Sequence, residues 1–323
     1  MPAETDTGPN PFSVWDTWAA GAQVAGFASA RAALAALLAA RNIKRVWLPA
    51  FACAALAEAA TGLDVRLYGI RRDLTPVLAD LGSVRAGDAV VAVNYFGRAP
   101  GGLFRDQARL RPDVLWIDDR AQALAPEAGR WAEVTLYSPR KLFGVGDGGL
   151  LVADTPLPSP QSPSAGDPWA PEKARAKDPA GDHPQTWYPL FQARETAFST
   201  ASVGISPATV AALKAIDPAP SMKIRKANWR ILARRLAAFA LILEKQVSFA
   251  PLFFPIAVRD PSAVVSALAA LRIYCPRHWA ELPAGASGDA VWLSEHQISL
   301  PLDQRYDEAD MERIADAVEA HAR

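Results

Sequence analysis

The sequence predicts an α/β protein built on a largely parallel sheet. Short apolar runs of β-forming residues recur at 45–48, 65–70, 89–95, 114–117, 134–138 and 149–153. Helical or loop segments separate them, and strands that alternate with helices fold as parallel sheets with helices on their faces. Reactive polar residues also stand at the ends of two neighbouring runs: Asp118-Asp119 after 114–117, and Ser138 to Lys141 after the next run. Ligands of open α/β sheets sit beyond the carboxyl ends of strands.

Taken in order, residues 1–11 are acidic and proline-bearing and are expected to be disordered. Ser29-Ala30-Arg31 heads the Ala- and Leu-rich run 32–40, a serine-led helix. The strand runs follow. From 155 to 189 the composition shifts to Pro, Ser, Asp and Lys, which reads as a flexible loop with no packed core of its own. Residues 205–216 and 222–243 read as helices. The second bridges to a C-terminal domain with one clear strand, 253–258, and two helices, 262–271 and 308–322. The expected organisation is a large domain over 12–220, with 155–190 as its flexible insert, and a small α+β domain over 221–323. No internal repeat is present.

The bulk numbers fit an ordinary enzyme. The chain has 323 residues, 50% hydrophobic and 21% charged, with 34 basic and 34 acidic side chains. That balance offers no bulk attraction to nucleic acid or to an anionic membrane. The two cysteines, Cys53 and Cys275, are too few for a disulfide framework or a zinc site and suit a reducing cytoplasm. The apolar run 236–243 is too short to span a bilayer and reads as a buried helix. The four histidines, His183, His278, His296 and His321, have no metal-ligand spacing, so no metal is expected. Gly144-Val-Gly-Asp-Gly-Gly149 matches a dinucleotide-binding glycine pattern, but a strand follows it where that pattern must open a helix.

Lys141 is the pivotal residue. It lies between two buried-looking strand runs, where desolvation would lower its pKa and free its amine as a nucleophile. The acids one strand earlier complete a pairing that pyridoxal phosphate (PLP) demands. An Asp keeps the pyridine nitrogen protonated, so the ring is an electron sink, and a Lys holds the aldehyde as a Schiff base. On a strand end Asp118 and Asp119 point in opposite directions.

The runs Trp116-Ile-Asp-Asp-Arg-Ala-Gln-Ala123 and Tyr137-Ser-Pro-Arg-Lys-Leu-Phe-Gly-Val-Gly-Asp-Gly-Gly149 resemble motifs of fold-type I PLP enzymes, and among them the DegT/DnrJ/StrS-type sugar aminotransferases. The similarity extends to Val46-Trp-Leu-Pro-Ala-Phe-Ala-Cys53, Val93-Asn-Tyr-Phe-Gly97 and Ser299-Leu-Pro-Leu-Asp-Gln-Arg-Tyr306. It implies a mostly parallel seven-stranded sheet, a small C-terminal α+β domain, and a homodimer with active sites at the subunit interface. The implied reaction moves an amino group from a Glu or Gln donor to a keto acceptor, by family analogy a nucleotide-linked keto-sugar. A lysine at 141 disfavours the dehydratase relatives, which carry His there.

By the same resemblance Asp119 partners the pyridinium and Gln122 the phenolic oxygen, while the hydroxyl of Ser138 binds the phosphate. Ser29, Ala30 and Arg31 open a helix whose N-terminus suits that anion; Ser29 also serves as a plain N-cap. Asn94 and Tyr95 would line the pocket, although Tyr95 fits core packing equally well. Arg225 and Asn228 would reach the partner subunit's site, or lie on a solvated basic helix. His278, with Trp279, would line the substrate entrance. The chain departs from the pattern in three places. Leu136 stands where many sugar aminotransferases place the phosphate serine, Ala30 replaces a glycine, and Cys53 replaces a stacking aromatic, leaving Phe51 or Tyr95 to cover the ring. The Leu136 and Cys53 departures and the shortness of the chain keep open other PLP chemistry, including transamination of a non-sugar ketone; a PLP-fold binding protein without turnover is the alternative of a different class.

Overall fold

A computed structural model describes residues 12–125, 129–164 and 166–322. The segment 1–11, expected to be disordered, lies outside the described residues. The main sheet has seven strands: β1 (Gln23–Phe27), β2 (Arg45–Pro49), β3 (Asp64–Tyr68), β4 (Ala89–Val93), β5 (Leu115–Asp119), β6 (Val134–Tyr137) and β7 (Gly149–Ala153), in the order β1-β7-β6-β5-β4-β2-β3. The five strands from β6 to β3 are parallel, and β7 runs antiparallel to both of its neighbours. Strands β4 to β7 are buried along their whole length, as expected of a sheet covered on both faces.

One sheet strand, β1, is not evident in the sequence. Its short Gln-Val-Ala-Gly-Phe run has a glycine inside, which weakens the strand signal. The glycine has a tertiary reason: a Cβ at Gly26 would lie 2.5 Å from Ile205 Cγ2.

The helices of the large sheet are α1 (Val14–Ala19), α2 (Ala30–Ala40), α3 (Ala54–Ala59) and α4 (Gly102–Leu110). Helix α2 begins at Ser29, whose hydroxyl accepts the Ala32 N–H at 3.1 Å, and it buries Leu34, Leu37 and Leu38 at helical spacing. Where the sequence reads as a coreless loop, the chain forms α5 (Ala170–Ala176), a 3-10 turn at Pro184–Thr186 and the start of α6 (Tyr188–Ala197). Helix α6 buries none of its residues. Polar contacts hold it instead. Arg194 pairs with Glu172 at 2.7 Å, Arg140 pairs with Glu195, and Arg175 stacks on Trp187.

Helix α7 (Pro207–Ala215) returns to the sheet, and α8 (Ala219–Arg235) begins the C-terminal part. The long helix expected over 222–243 stops earlier. Ala240 bridges to Ile256, and the Leu241 N–H bonds to Pro255 O at 3.1 Å. The apolar run expected to be a buried helix thus buries Leu241 and Ile242 as irregular chain. A second sheet pairs β8 (Phe253–Ala257) with β9 (Gln297–Pro301), a strand that was not expected. Around it lie α9 (Pro261–Ala270), α10 (Asp289–His296) and α11 (Glu308–His321). No helix among the described residues is long and apolar enough to cross a membrane.

Candidate active site

Two adjacent strand ends build the site. Pairing of β5 with β6 sets Asp119 opposite Leu136, and the Arg120 N–H bonds to Leu136 O at 2.8 Å. Strand alternation turns the two acids to opposite faces. Asp118 is fully buried and accepts from Arg120 Nε at 2.6 Å and Asn94 Nδ2 at 2.5 Å. Asp119 is 5% exposed, and its Oδ1 takes the Ala121 N–H at 2.9 Å. Burial pushes the Asp119 carboxyl up to about 6, against the pull of the Lys141 charge.

Gln122 lies in the turn after β5. Its Oε1 accepts the Phe96 N–H at 2.8 Å, so a backbone donor fixes the amide orientation. That leaves Gln122 Nε2 as a buried donor with no protein partner. An unsatisfied buried N–H costs on the order of 1–3 kcal/mol, so its persistence points to a ligand oxygen.

Lys141 does not lie where the sequence suggests. It is exposed, because a 3-10 turn at Pro139–Lys141 carries it out of the sheet before β7 begins. It borders a cleft of about 580 Å³, shared with Arg140, Arg175, Arg194, Arg225 and Asp303 among others. Ser138 is buried at the head of the turn and makes no capping bond to it. The glycines bring this turn against α2. Ser29 bridges to Gly148, whose φ of +124° suits only glycine, and a Cβ there would meet Pro139 Cγ at 2.6 Å. A Cβ at Gly149 would collide with the backbone of Ser29 and Ala30. Ser138, Ser29 and Ala30 therefore share one corner. Arg31 Nη1 pairs with Glu58 at 2.7 Å and donates to Phe198 O at 2.8 Å, while its buried Nε has no hydrogen-bond partner among the described residues.

Other expected site residues have structural duties. Besides Asp118, Asn94 Nδ2 reaches Asp119 O at 3.1 Å, so it ties strand ends together instead of lining a pocket. Tyr95 is buried in the core with its hydroxyl on Phe51 O. Phe51 is buried too, and the half-buried Trp279 packs on both, at ring separations of 5.0 and 6.1 Å. Cys53 is half-buried at the start of α3 and caps nothing with its side chain.

Arg225 and Asn228 turn into their own chain, which corrects the expectation that they are surface or partner-facing groups. Buried Arg225 donates to Pro251 O, Leu252 O and Gln304 Oε1 at 2.9–3.2 Å, and burial lowers it to about 10. Arg225 Nη2 and Gln304 Nε2 both approach Leu142 O, at 3.5 and 3.3 Å, and so clamp the residue after Lys141. Asn228 Nδ2 holds Leu302 O and Tyr306 O at 3.1 Å. His278 packs on Phe96 and Phe253, with Nδ1 2.8 Å from Ser299 Oγ, and burial aided by the Lys141 charge lowers it to about 3. Gln297 and Glu195 carry no sequence signal, and Ser299 and Gln304 stand in the 299–306 motif without a role the sequence could assign, because each acts through a neighbour remote in the chain.

No protein-family model matches this sequence, and no curated protein is matched. Solved structures do match. A DegT DnrJ EryC1 StrS aminotransferase from Brucella abortus aligns over 94% of this chain and 87% of its own, at 19% identity and a TM-score of 0.67. S. venezuelae DesV, solved with a ketimine intermediate, aligns over 97% and 89%, at 20% identity and a TM-score of 0.67. The putative sugar aminotransferase Spr1654 from Streptococcus pneumoniae, in its PLP form, aligns over 97% and 91%, at 16% identity and a TM-score of 0.70. With its mostly parallel seven-stranded sheet, the chain therefore has the fold of these aminotransferases.

Proposed function

We propose that this protein is a PLP-dependent aminotransferase that moves an amino group from Glu or Gln to a keto acceptor, a nucleotide-linked keto-sugar. The observation that carries the reading is the unpartnered Nε2 of Gln122, buried in the turn that begins with Asp119. An apolar or fully satisfied pocket would leave no such donor.

The residues fit the cofactor. Asp119 would hold the proton on the pyridine nitrogen, Gln122 Nε2 would donate to the phenolic oxygen, and Ser138 with the start of α2 would take the phosphate. PLP, when bound, supplies an aldehyde and an electron-withdrawing ring. Lys141 Nζ would hold the aldehyde, and its amine, once free, would be the base that moves a proton at the donor's α-carbon. Cys53 offers no ring face, and Trp279, half-buried on Phe51 and Tyr95, is the aromatic available to cover the ring.

The cleft beside Lys141 supports an anionic acceptor. Its acids Glu172, Glu195 and Asp303 are each paired with Arg194, Arg140 or Arg305, while among the described residues no carboxylate forms an ion pair with Arg175, Arg225 or Lys141. Structural neighbours that include CalS13 from Micromonospora echinospora and Spr1654 are described as sugar aminotransferases, which supports the sugar reading. We further infer a homodimer, in which a second copy closes over the exposed Lys141 and the exposed Tyr188 and Leu190 of α6. Both cysteines are unpaired, which suits the cytoplasm.

The test is the visible spectrum of the purified protein before and after borohydride, with Lys141→Ala alongside. A yellow band that borohydride removes, that the variant lacks and that glutamate or glutamine bleaches supports the reading. A colourless protein that takes up no added PLP overturns it.

A further inference from the structure

His278 lies in a segment pinned along β9. The Ser299 N–H bonds to Pro276 O at 3.0 Å, Arg277 Nη2 holds Ser294 O at 2.9 Å, and the His278 N–H bonds to Gln297 Oε1 at 3.0 Å. The last bond fixes the Gln297 amide, because a backbone N–H can only donate. Gln297 Nε2 therefore donates to Ser299 Oγ, 2.7 Å away. With that acceptance made, the Ser299 hydroxyl proton is free to go to the nitrogen 2.8 Å off, His278 Nδ1. With Nδ1 as the acceptor of that proton, the neutral imidazole carries its own proton on Nε2. Aromatic rings surround it: Phe96 at 5.7 Å, Phe253 at 5.4 Å and Trp279 at 5.4 Å. Phe96 is also the residue whose N–H holds Gln122, so the ring stands one side chain from the unpartnered Gln122 Nε2. Nε2 itself has no hydrogen-bond partner among the described residues.

We propose that His278 is a ligand-binding residue whose Nε2–H donates to an oxygen of the molecule held between Asp119 and Lys141. This rests on the reading of the site as a PLP site. A neutral donor suits the place: burial among aromatic rings and the nearby Lys141 charge both oppose a second proton, so the group donates without competing for the charge on Lys141 or Asp119.

The chain has four histidines, so their ring nitrogens can be followed by ¹⁵N NMR on the full-length protein, with His278 identified by its loss in His278→Gln. The ligand-free protein should show His278 as the Nε2–H tautomer at neutral pH, and Ser299→Ala should move its Nδ1 resonance. Added PLP should then shift Nε2 while the other three rings stay put, which marks a cofactor oxygen as the acceptor. A shift only after glutamate is added marks the donor carboxylate. A yellow protein in which Nε2 moves with neither overturns the inference and leaves the proposed function intact, whereas failure to turn yellow overturns both. An Nδ1–H tautomer or a protonated ring in the free protein also overturns it. As a second arm, half-saturation by whichever ligand moves Nε2 should stay within about threefold in His278→Gln, which keeps an N–H near that position, and weaken by about tenfold in His278→Phe. Equal values for the two variants overturn the inference.

Discussion

The ends of β5 and β6 and the segment from α5 to α6 both border Lys141, yet different forces hold them. The strand ends are buried and tied by short-range polar contacts: Asp118 with Arg120 and Asn94, backbone with backbone. Helix α6 buries nothing and is retained by Arg140–Glu195, Arg194–Glu172 and ring contacts. The difference teaches where rigidity is placed. The carboxylate stands on a buried strand end and the lysine on a short turn just beyond the next one, while the cleft wall rests on ion pairs that salt and a ligand can loosen.

The comparison breaks first at Asp118. Asp118→Ala leaves the buried Arg120 charge without its carboxylate and should destabilise the protein by about 3–5 kcal/mol, read by denaturant unfolding. A loss under about 1 kcal/mol would mean that Arg120 finds water and that the strand ends are not rigid.

Asp119 should behave in the opposite way. Its folded pKa of about 6 lies above the unfolded value, so the folded state binds more protons between the two and the group's penalty is complete above about pH 6. Lowering the pH through that window should relieve the penalty. Asp119→Asn should therefore stabilise the cofactor-free protein at neutral pH by up to about 3 kcal/mol and remove that pH dependence, while weakening PLP retention. A destabilised variant would show that the carboxylate is structural.

The smallest effect belongs to α6. Glu195→Gln should change global stability by about 0–1 kcal/mol, because the pair is partly exposed. It should instead speed amide exchange within α6, as should added salt. If exchange in β5 rises equally, the two regions are one cooperative unit and the contrast fails.

Legibility follows the range of the interactions. Strands β4 to β7 show as apolar runs because burial on both faces demands them. The opposite facing of Asp118 and Asp119 follows from strand alternation alone. Strands β1 and β9 are not legible in the sequence: one carries a glycine that Ile205 requires, and the other is a five-residue run that becomes a strand by pairing with β8. Arg225 reads as one charge on a basic helix, and only the fold shows it gripping Leu142 O from 83 positions away.

The sequence by itself determined the α/β class, the order of the strands that carry Asp119 and Lys141, and the glycines that let α2 meet the turn before β7. These are properties of local periodicity and backbone freedom, written within a few residues of where they act. The tertiary structure alone decided that Lys141 is exposed, that Asn94 and Arg225 serve the scaffold, that Gln122 keeps an unused donor and that His278 Nδ1 meets Ser299 Oγ. Each of those depends on which distant backbone donors and carbonyls arrive beside the side chain, and chain folding, not sequence spacing, brings them there.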